Sequence, residues 1–303
     1  MDHDRSFHDV SVEELYLSLR TYLVSIAYRM LGSLIDAEDV VHDTFMKLQA
    51  SDISHLNHAK SYLTKMVTNR CIDEIRSVKK KRETYLGTWL PEPLVQGHVV
   101  VDPSEKVILD DSLRYALLLL MEELSPRERA VYVLKEAFQF EHTEIASLLH
   151  VTEANCRKIF SRAKKKMNAL ADDYLIPDQL QKEHTARFIT ALSTGNIQEM
   201  TDLLADDVTL VADGGGNVMT AINEIVSKER VATILHAIAT KFFAGKTAYA
   251  VRVNNQMGIL VVKDGEPFGV WSIVWHPTTH QINRLFYVVN PEKLQHVNLL
   301  PTC

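Results

Sequence analysis

Two runs of basic side chains stand against an otherwise acidic chain. Between Lys60 and Arg82 there are eight Lys and Arg and two carboxylates, Asp73 and Glu74; between Arg157 and Lys166 there are six basic residues and no acidic one. Lys and Arg at that density neutralise phosphates, and side chains such as Asn and Asp beside them can read base edges. In the first run Asn69, Asp73, Arg76 and Lys80 recur at helical spacing and form one stripe. In the second, Arg157, Lys158, Ser161, Arg162 and Lys165 lie opposite Cys156, Ile159, Phe160, Ala163 and Met167.

Other clusters are weaker. His276 and His280 of "HPTTH" have a spacing that could bind zinc, but Pro277 opposes a helix there, so a turn with two solvated histidines is the reading. "DGGGN" (Asp213 to Asn217) lacks the Lys-Ser/Thr of a phosphate loop and reads as a turn where backbone must approach something closely. His236, Asp213, Trp275 and His276 could line a pocket, but no nucleophile motif accompanies them, so no catalytic residue and no cofactor or metal is expected.

These residues need elements to hold them. "DAEDVVHDTFMKL" puts Ala37, Val40, Val41, Phe45 and Leu48 at helical spacing, with Asp36, Glu38, Asp39, His42 and Asp43 on the other face. A long helix from about residue 61 to 82 buries Leu63, Val67, Cys71, Ile75 and Val78. Ser125, Pro126 and Glu128 make a specific helix start. A short helix over 143–149, a tight turn at His150 and Val151 and a second helix capped by Thr152 complete a helix-turn-helix. Beyond Leu175 a helical stretch gives way to alternating runs separated by turn residues, the pattern of an α+β domain. Between the basic segments lies "GTWLPEPLVQG", whose Trp89, Leu90, Pro91, Glu92 and Pro93 are odd in a plain spacer. The prolines hold the chain extended, and the apolar pair beside them can anchor it on a surface.

The 303 residues, 46% hydrophobic and 24% charged, suit a multidomain globular protein. The net charge of -6 hides the two basic patches. The polar, acidic start is unlike a signal peptide, and the longest apolar run, "YALLLLM", is too short for a bilayer; no membrane association is expected. Three scattered cysteines, Cys71, Cys156 and Cys303, suit a reducing cytoplasm.

The chain resembles bacterial sigma factors of the extracytoplasmic-function type. "AYRMLGSLIDAEDVVHDTFMKL" and "SYLTKMVTNRCIDEIRSVKKKR" are similar to their second conserved region, and "LSPRERAVYVLKEAFQFEHTEIASLLHVTEANCRKIFSRAKKKM" to their fourth. The rest resembles a SnoaL-like cone of the NTF2 type. A subgroup of these factors carries such a domain, marked by a "WLPEP" linker, a "DGGGK"-like turn and an "NPDKL"-like tail. Here they read "WLPEP", "DGGGN" and "NPEKL".

The resemblance implies two all-α domains, residues 1–82 (region 2) and 110–175 (region 4). A linker at 83–109 joins them, and an α+β SnoaL-like domain follows at 176–303. It implies that the chain binds core RNA polymerase and directs it to promoters. Asp36, Asp39, Val40, His42, Asp43 and Phe45 would dock on the polymerase. Asn69, Arg70, Asp73, Arg76, Lys79 and Lys80 would meet the −10 element, and Arg157, Lys158, Ser161, Arg162 and Lys165 the −35 element. Regulation would come from the fused domain, with no separate anti-sigma factor required. It would act through Trp89, Leu90, Pro91, Glu92 and Pro93, through Asp213, Gly214, Gly215 and Gly216, and through Asn290, Pro291, Lys293 and Leu294. The alternative is a transcription regulator whose SnoaL-like domain is an enzyme or a sensor of a small ligand.

Overall fold

A computed structural model describes residues 11–50, 58–82, 85–96, 114–170, 176–242 and 245–297. The chain divides into two compact units. One takes 1–81, 103–112 and 120–171; the other takes 82–102, 113–119 and 172–303. The division departs from the sequence expectation in one respect. The described part of the linker and most of the first helix after it go with the C-terminal sheet.

The first unit is helical. Helix α1 (Val12–Leu31) starts on a capping box of Ser11 and Glu14 and stops at Gly32, whose φ of 70° ends the turn. Helix α2 (Leu34–Gln49) is capped by Ser33 and lies on α1. Helix α3 (Ala59–Arg82) carries the first basic run. Helix α4 (Tyr115–Leu120), which belongs to the second unit as far as Leu119, passes into a 3-10 turn at Met121–Glu123. Helix α5 (Pro126–Glu136) begins on the expected box, with Ser125 and Glu128 exchanging bonds across Pro126. Helix α6 (His142–Leu149) ends on His150 in the left-handed conformation, φ 53°. Thr152 then caps helix α7 (Glu153–Leu170) through the Asn155 amide. Cys156, Ala163 and Met167 are buried on α7, whereas Arg157, Lys158, Ser161, Arg162 and Lys165 are exposed.

The second unit is built on a seven-stranded sheet. Helices α8 (Asp178–Thr194) and α9 (Ile197–Leu203) lead into strands β2 (Leu204–Asp213) and β3 (Ile225–Val226). Helix α10 (Lys228–Phe242) then precedes β4 (Lys246–Val253), β5 (Gln256–Lys263), β6 (Glu266–Trp275) and β7 (Ile282–Val288). With β1 the short strand Val95–Gln96, the spatial order is β1-β4-β5-β6-β7-β2-β3, antiparallel except where β2 runs beside β7. The unit is an α+β sheet domain. Its edge strand β1 is Val95–Gln96, from the linker, paired with Val253 and Arg252.

Both faces of this sheet are covered. On one, Trp271, Ile273, Leu285 and Tyr287 pack with Phe188, Leu192 and Leu235 of the helices. On the other, Val251, Leu260, Val270, Phe286 and Val288 meet Leu90 and Val95 of the linker, Tyr115 of α4, and Leu294 and Val297 of the tail. That double cover explains why β5 and β6 read as continuous apolar runs rather than strict alternation. A sheet with only one covered face would leave Leu260, Val270 and Phe286 in water.

Candidate functional site

The helical unit presents three faces with functional chemistry. On α7 the basic run divides. Lys164 and Lys166 pair with Glu136 and Glu128 of α5, at 2.8 and 2.9 Å, and so hold the helix in place. Arg157 pairs along the helix with Glu153 at 2.6 Å, an exposed contact worth only a few tenths of a kcal/mol. Lys158, Ser161, Arg162 and Lys165 point outward with it. This is a helix-turn-helix whose second helix offers a basic face.

On α3, Asn69 is half-buried. Its amide donates to the Lys65 carbonyl at 2.9 Å and reaches the Leu148 carbonyl of α6 at 3.4 Å. Arg70 pairs with Asp43 of α2 at 2.6 Å, and Asp73 with Arg76 at 3.2 Å. The side chains of Lys79 and Lys80 lie outside the described residues.

On α2 the structure corrects two residues. Val40 and Phe45 are buried, and Phe45 meets Tyr16 of α1 edge-on, with ring centroids 5.0 Å apart. They belong to the unit's own core and cannot face a partner. Asp39 and His42 are exposed, Asp36 and Asp43 half-exposed. Ile35 and Met46, which the sequence reading passed over, are exposed at 39% and 54% and continue the face of Asp39 and His42. The signal was there: positions 35, 39, 42 and 46 form one helical stripe, and its apolar members lie off the core stripe.

In the second unit the linker, the glycine turn and the tail converge on one carboxylate. Asp213 ends β2 and is 1% exposed. Its Oδ1 accepts from the Tyr85 hydroxyl at 2.6 Å and the Gly215 amide at 2.9 Å. Its Oδ2 accepts from the Leu90 amide at 2.8 Å and Lys293 Nζ at 2.6 Å. Lys293 also donates to the Leu90 carbonyl, and its ammonium lies over the Trp89 ring, 4.2 Å from the centroid. A charge so far from water is tolerable only when paired and fully hydrogen-bonded, and these four donors meet that need. Burial, and after it the Asp213 carboxylate, holds the Tyr85 hydroxyl protonated well above its ordinary range.

The surrounding backbone is accounted for in the same way. Pro91 and Pro93 have no amide to satisfy. Their carbonyls accept from Tyr115 Oη at 2.7 Å and His296 Nε2 at 2.9 Å. Leu94 exchanges bonds with Asn254, whose side-chain oxygen and backbone amide meet its amide and carbonyl. The prolines thus leave an extended segment short of donors and rich in acceptors, fixed by side chains from the tail, the sheet turn and α4. The glycine turn is packed against the tail. Asn290 donates to Tyr85 Oη at 3.1 Å and caps Glu292. A Cβ on Gly215 would stand 2.5 Å from the Asn290 side chain, and its φ is +64°. Gly215→Ala is therefore expected to displace the tail and destabilise this unit by at least about 1 kcal/mol. Denaturant unfolding followed by Trp fluorescence measures it, and an unchanged midpoint would contradict the packing.

The remaining pocket candidates do not meet at this knot. Trp275 is buried beside His184 with ring centroids 5.5 Å apart. His276 Nδ1 accepts from the Thr278 and Thr279 amides, so "HPTTH" is a self-capped turn. Cys71 and Cys156 are free, buried thiols, and burial pushes both up. Among the described residues no helix is long and apolar enough to cross a membrane.

Residues 15–82 match the Sigma-70 region 2 family and residues 114–167 the Sigma-70 region 4 family. Over 282 residues the chain is 32% identical to the ECF RNA polymerase sigma factor SigJ of Mycobacterium tuberculosis, covering 84% of this chain and 89% of that one. It is 30% identical over 232 residues to the probable ECF RNA polymerase sigma factor SigI of the same species, covering 75% and 76%. The crystal structure of the M. tuberculosis extracytoplasmic function sigma factor SigJ superposes with a TM-score of 0.74 at 27% identity, over 96% of this chain and all of that one.

Proposed function

This chain belongs to the extracytoplasmic-function RNA polymerase sigma factors, which direct promoter-specific initiation, and from that premise we propose that its fused NTF2-like domain regulates it by holding the linker. The observation that carries the proposal is the buried Asp213–Lys293 pair closed over Tyr85 and Leu90. It ties the linker between the two sigma regions to the C-terminal turn and tail. Tyr115 supports the same reading. It opens the matched region 4, yet its ring packs on Phe286 of the C-terminal sheet and its hydroxyl holds Pro91. A segment needed for polymerase and promoter contact is thereby committed to the C-terminal domain.

In this reading the factor works in the cytoplasm, needs no separate anti-sigma factor and has no catalytic residue. Ile35, Asp39, His42 and Met46, flanked by Asp36 and Asp43, dock on the core polymerase. The −10 contacts are the exposed Asp73 and Arg76 together with Lys79 and Lys80, joined by Asn69 and Arg70 once these leave their partners Leu148 and Asp43. The −35 contacts are Arg157, Lys158, Ser161, Arg162 and Lys165.

Run-off transcription with purified core polymerase tests the promoter reading. The variant Arg157→Ala/Lys158→Ala/Arg162→Ala is expected to lose −35 dependence, at roughly 1–3 kcal/mol per good base contact. Its fold should survive, because all three side chains are exposed on α7. Equal use of −35-dependent promoters by parent and variant would sink the assignment.

A further inference from the structure

We propose that Arg157 is the guanine reader of α7 and that Glu153 is its positioning residue, holding the guanidinium in the posture in which it meets a base edge. The proposal rests on the reading of α7 as the −35 helix. In a helix-turn-helix the N-terminal residues of the second helix reach the base edges. Glu153 is the first residue of α7, and Arg157 stands one turn on, where the two side chains are neighbours.

Glu153 is the only carboxylate among the 18 residues of α7. A helix that bound phosphates alone would have no use for it, because a carboxylate is repelled by the duplex backbone. Here its charge is matched within the helix. Glu153 Oε1 accepts from Arg157 Nη2 at 2.6 Å and from Nε at 3.0 Å. These bonds take one side of the guanidinium fork and two of its N–H groups. The end of the fork remains: a hydrogen on Nη1 and the outer one on Nη2, parallel and pointing away from the stem. That pair matches the N7 and O6 acceptors that guanine shows in the major groove, a pattern no other base repeats. The Arg157 side chain is 63% exposed and that of Glu153 41%, so the free end of the fork is accessible.

The lysines of α7 are not equivalent to this pair. Lys164 and Lys166 are tied to α5, and Lys158 and Lys165 are point charges on flexible stems. An arginine fixed before binding loses less side-chain freedom when it reads a base. The ion pair contributes little to folding and is felt in recognition.

Selection from a pool of duplexes randomised across the promoter tests this, with the full chain assembled on core polymerase and the bound duplexes sequenced. The parent is expected to enrich a guanine at one upstream position, preferred about five- to 150-fold over other bases. Arg157→Ala is expected to abolish that preference. Glu153→Ala is expected to weaken it about two- to tenfold and to leave every other position as it was. Made in the Arg157→Ala background, it should change that preference no further. Glu153→Gln, which keeps an acceptor without the charge, is a second variant expected to act in the same direction, and circular dichroism detects any fraying of the helix start. A Glu153 that serves only the helix N-terminus would shift thermal unfolding with the guanine preference intact, and that result would overturn the proposal. So would an Arg157→Ala variant that binds all sequences uniformly less well, with the slope of its salt dependence reduced by about 1, since that marks a phosphate contact. If the parent holoenzyme enriches no sequence, the sigma reading itself fails and the guanine reader with it. Promoter selection that persists without any guanine effect strikes only the guanine reader.

Discussion

Ending the chain at Asn290 is expected to raise promoter-specific transcription above that of the full-length protein, while ending it near Tyr174 lowers it below. The short cut removes Lys293, Leu294 and His296. Asp213 then loses its cation, and the Leu90 and Pro93 carbonyls lose their donors. Breaking a buried pair by removing one partner costs about 3–5 kcal/mol. That is more than a hundredfold in the balance between held and released linker. The tail is tethered and acts at an effective concentration on the order of millimolar, so its removal is not offset by rebinding from solution. The long cut is different. It strips the sheet from Leu90, Val95 and Tyr115, which are buried against it, and leaves an apolar linker in water. Run-off assays on one responsive promoter, with equal amounts of soluble protein, decide the matter. Equal activity from all three forms would remove the regulatory role and favour an enzyme or small-ligand sensor in the fused domain.

Asp213→Ala should be the most damaging single substitution in the C-terminal unit. It leaves the Lys293 ammonium buried without a counter-charge and removes the acceptor of the Tyr85 hydroxyl and of the Leu90 and Gly215 amides. The expected loss is about 3–5 kcal/mol of unfolding free energy. Lys293→Met should cost a comparable amount by stranding the carboxylate. Asp213→Ala combined with Lys293→Met should cost less than the two single changes added together, because neither charge is then left alone. Denaturant unfolding of the four proteins closes the cycle. Strict additivity, or a loss under about 1 kcal/mol for Asp213→Ala, would mean that the two charges are not coupled in a dry site.

Much of the helical half is legible because local chemistry and periodicity agree there. Ser125, Pro126 and Glu128 announce a helix start that forms as expected, and His150 takes the left-handed turn that places α7. What was misread has a common cause: one apolar stripe looks the same whether its partner is internal or external. Val40 and Phe45 satisfy helical spacing and are core, while Ile35 and Met46 are the exposed apolar residues. The glycine turn at Asp213 reads correctly as a place of close approach, yet nothing local says that Asn290 is what approaches. The edge strand Val95–Gln96 is two residues long and has no period to detect. Its cause lies in the sheet, whose continuous apolar runs demand cover on a second face.

The knot also sets an order of events during synthesis. Leu90 and Lys293 are 203 residues apart in sequence, so the segment holding the linker is made well after the linker itself. At about 10 residues per second a ribosome takes about 20 s to travel between them. Region 4 is matched up to residue 167, so for the last 126 residues, about 13 s, both sigma regions have been translated, but the clasp that restrains their linker does not yet exist. Each newly made molecule therefore has a brief unrestrained youth. A pause or premature stop before the Lys293 codon would prolong it, making translation speed through the C-terminal domain a determinant of activity.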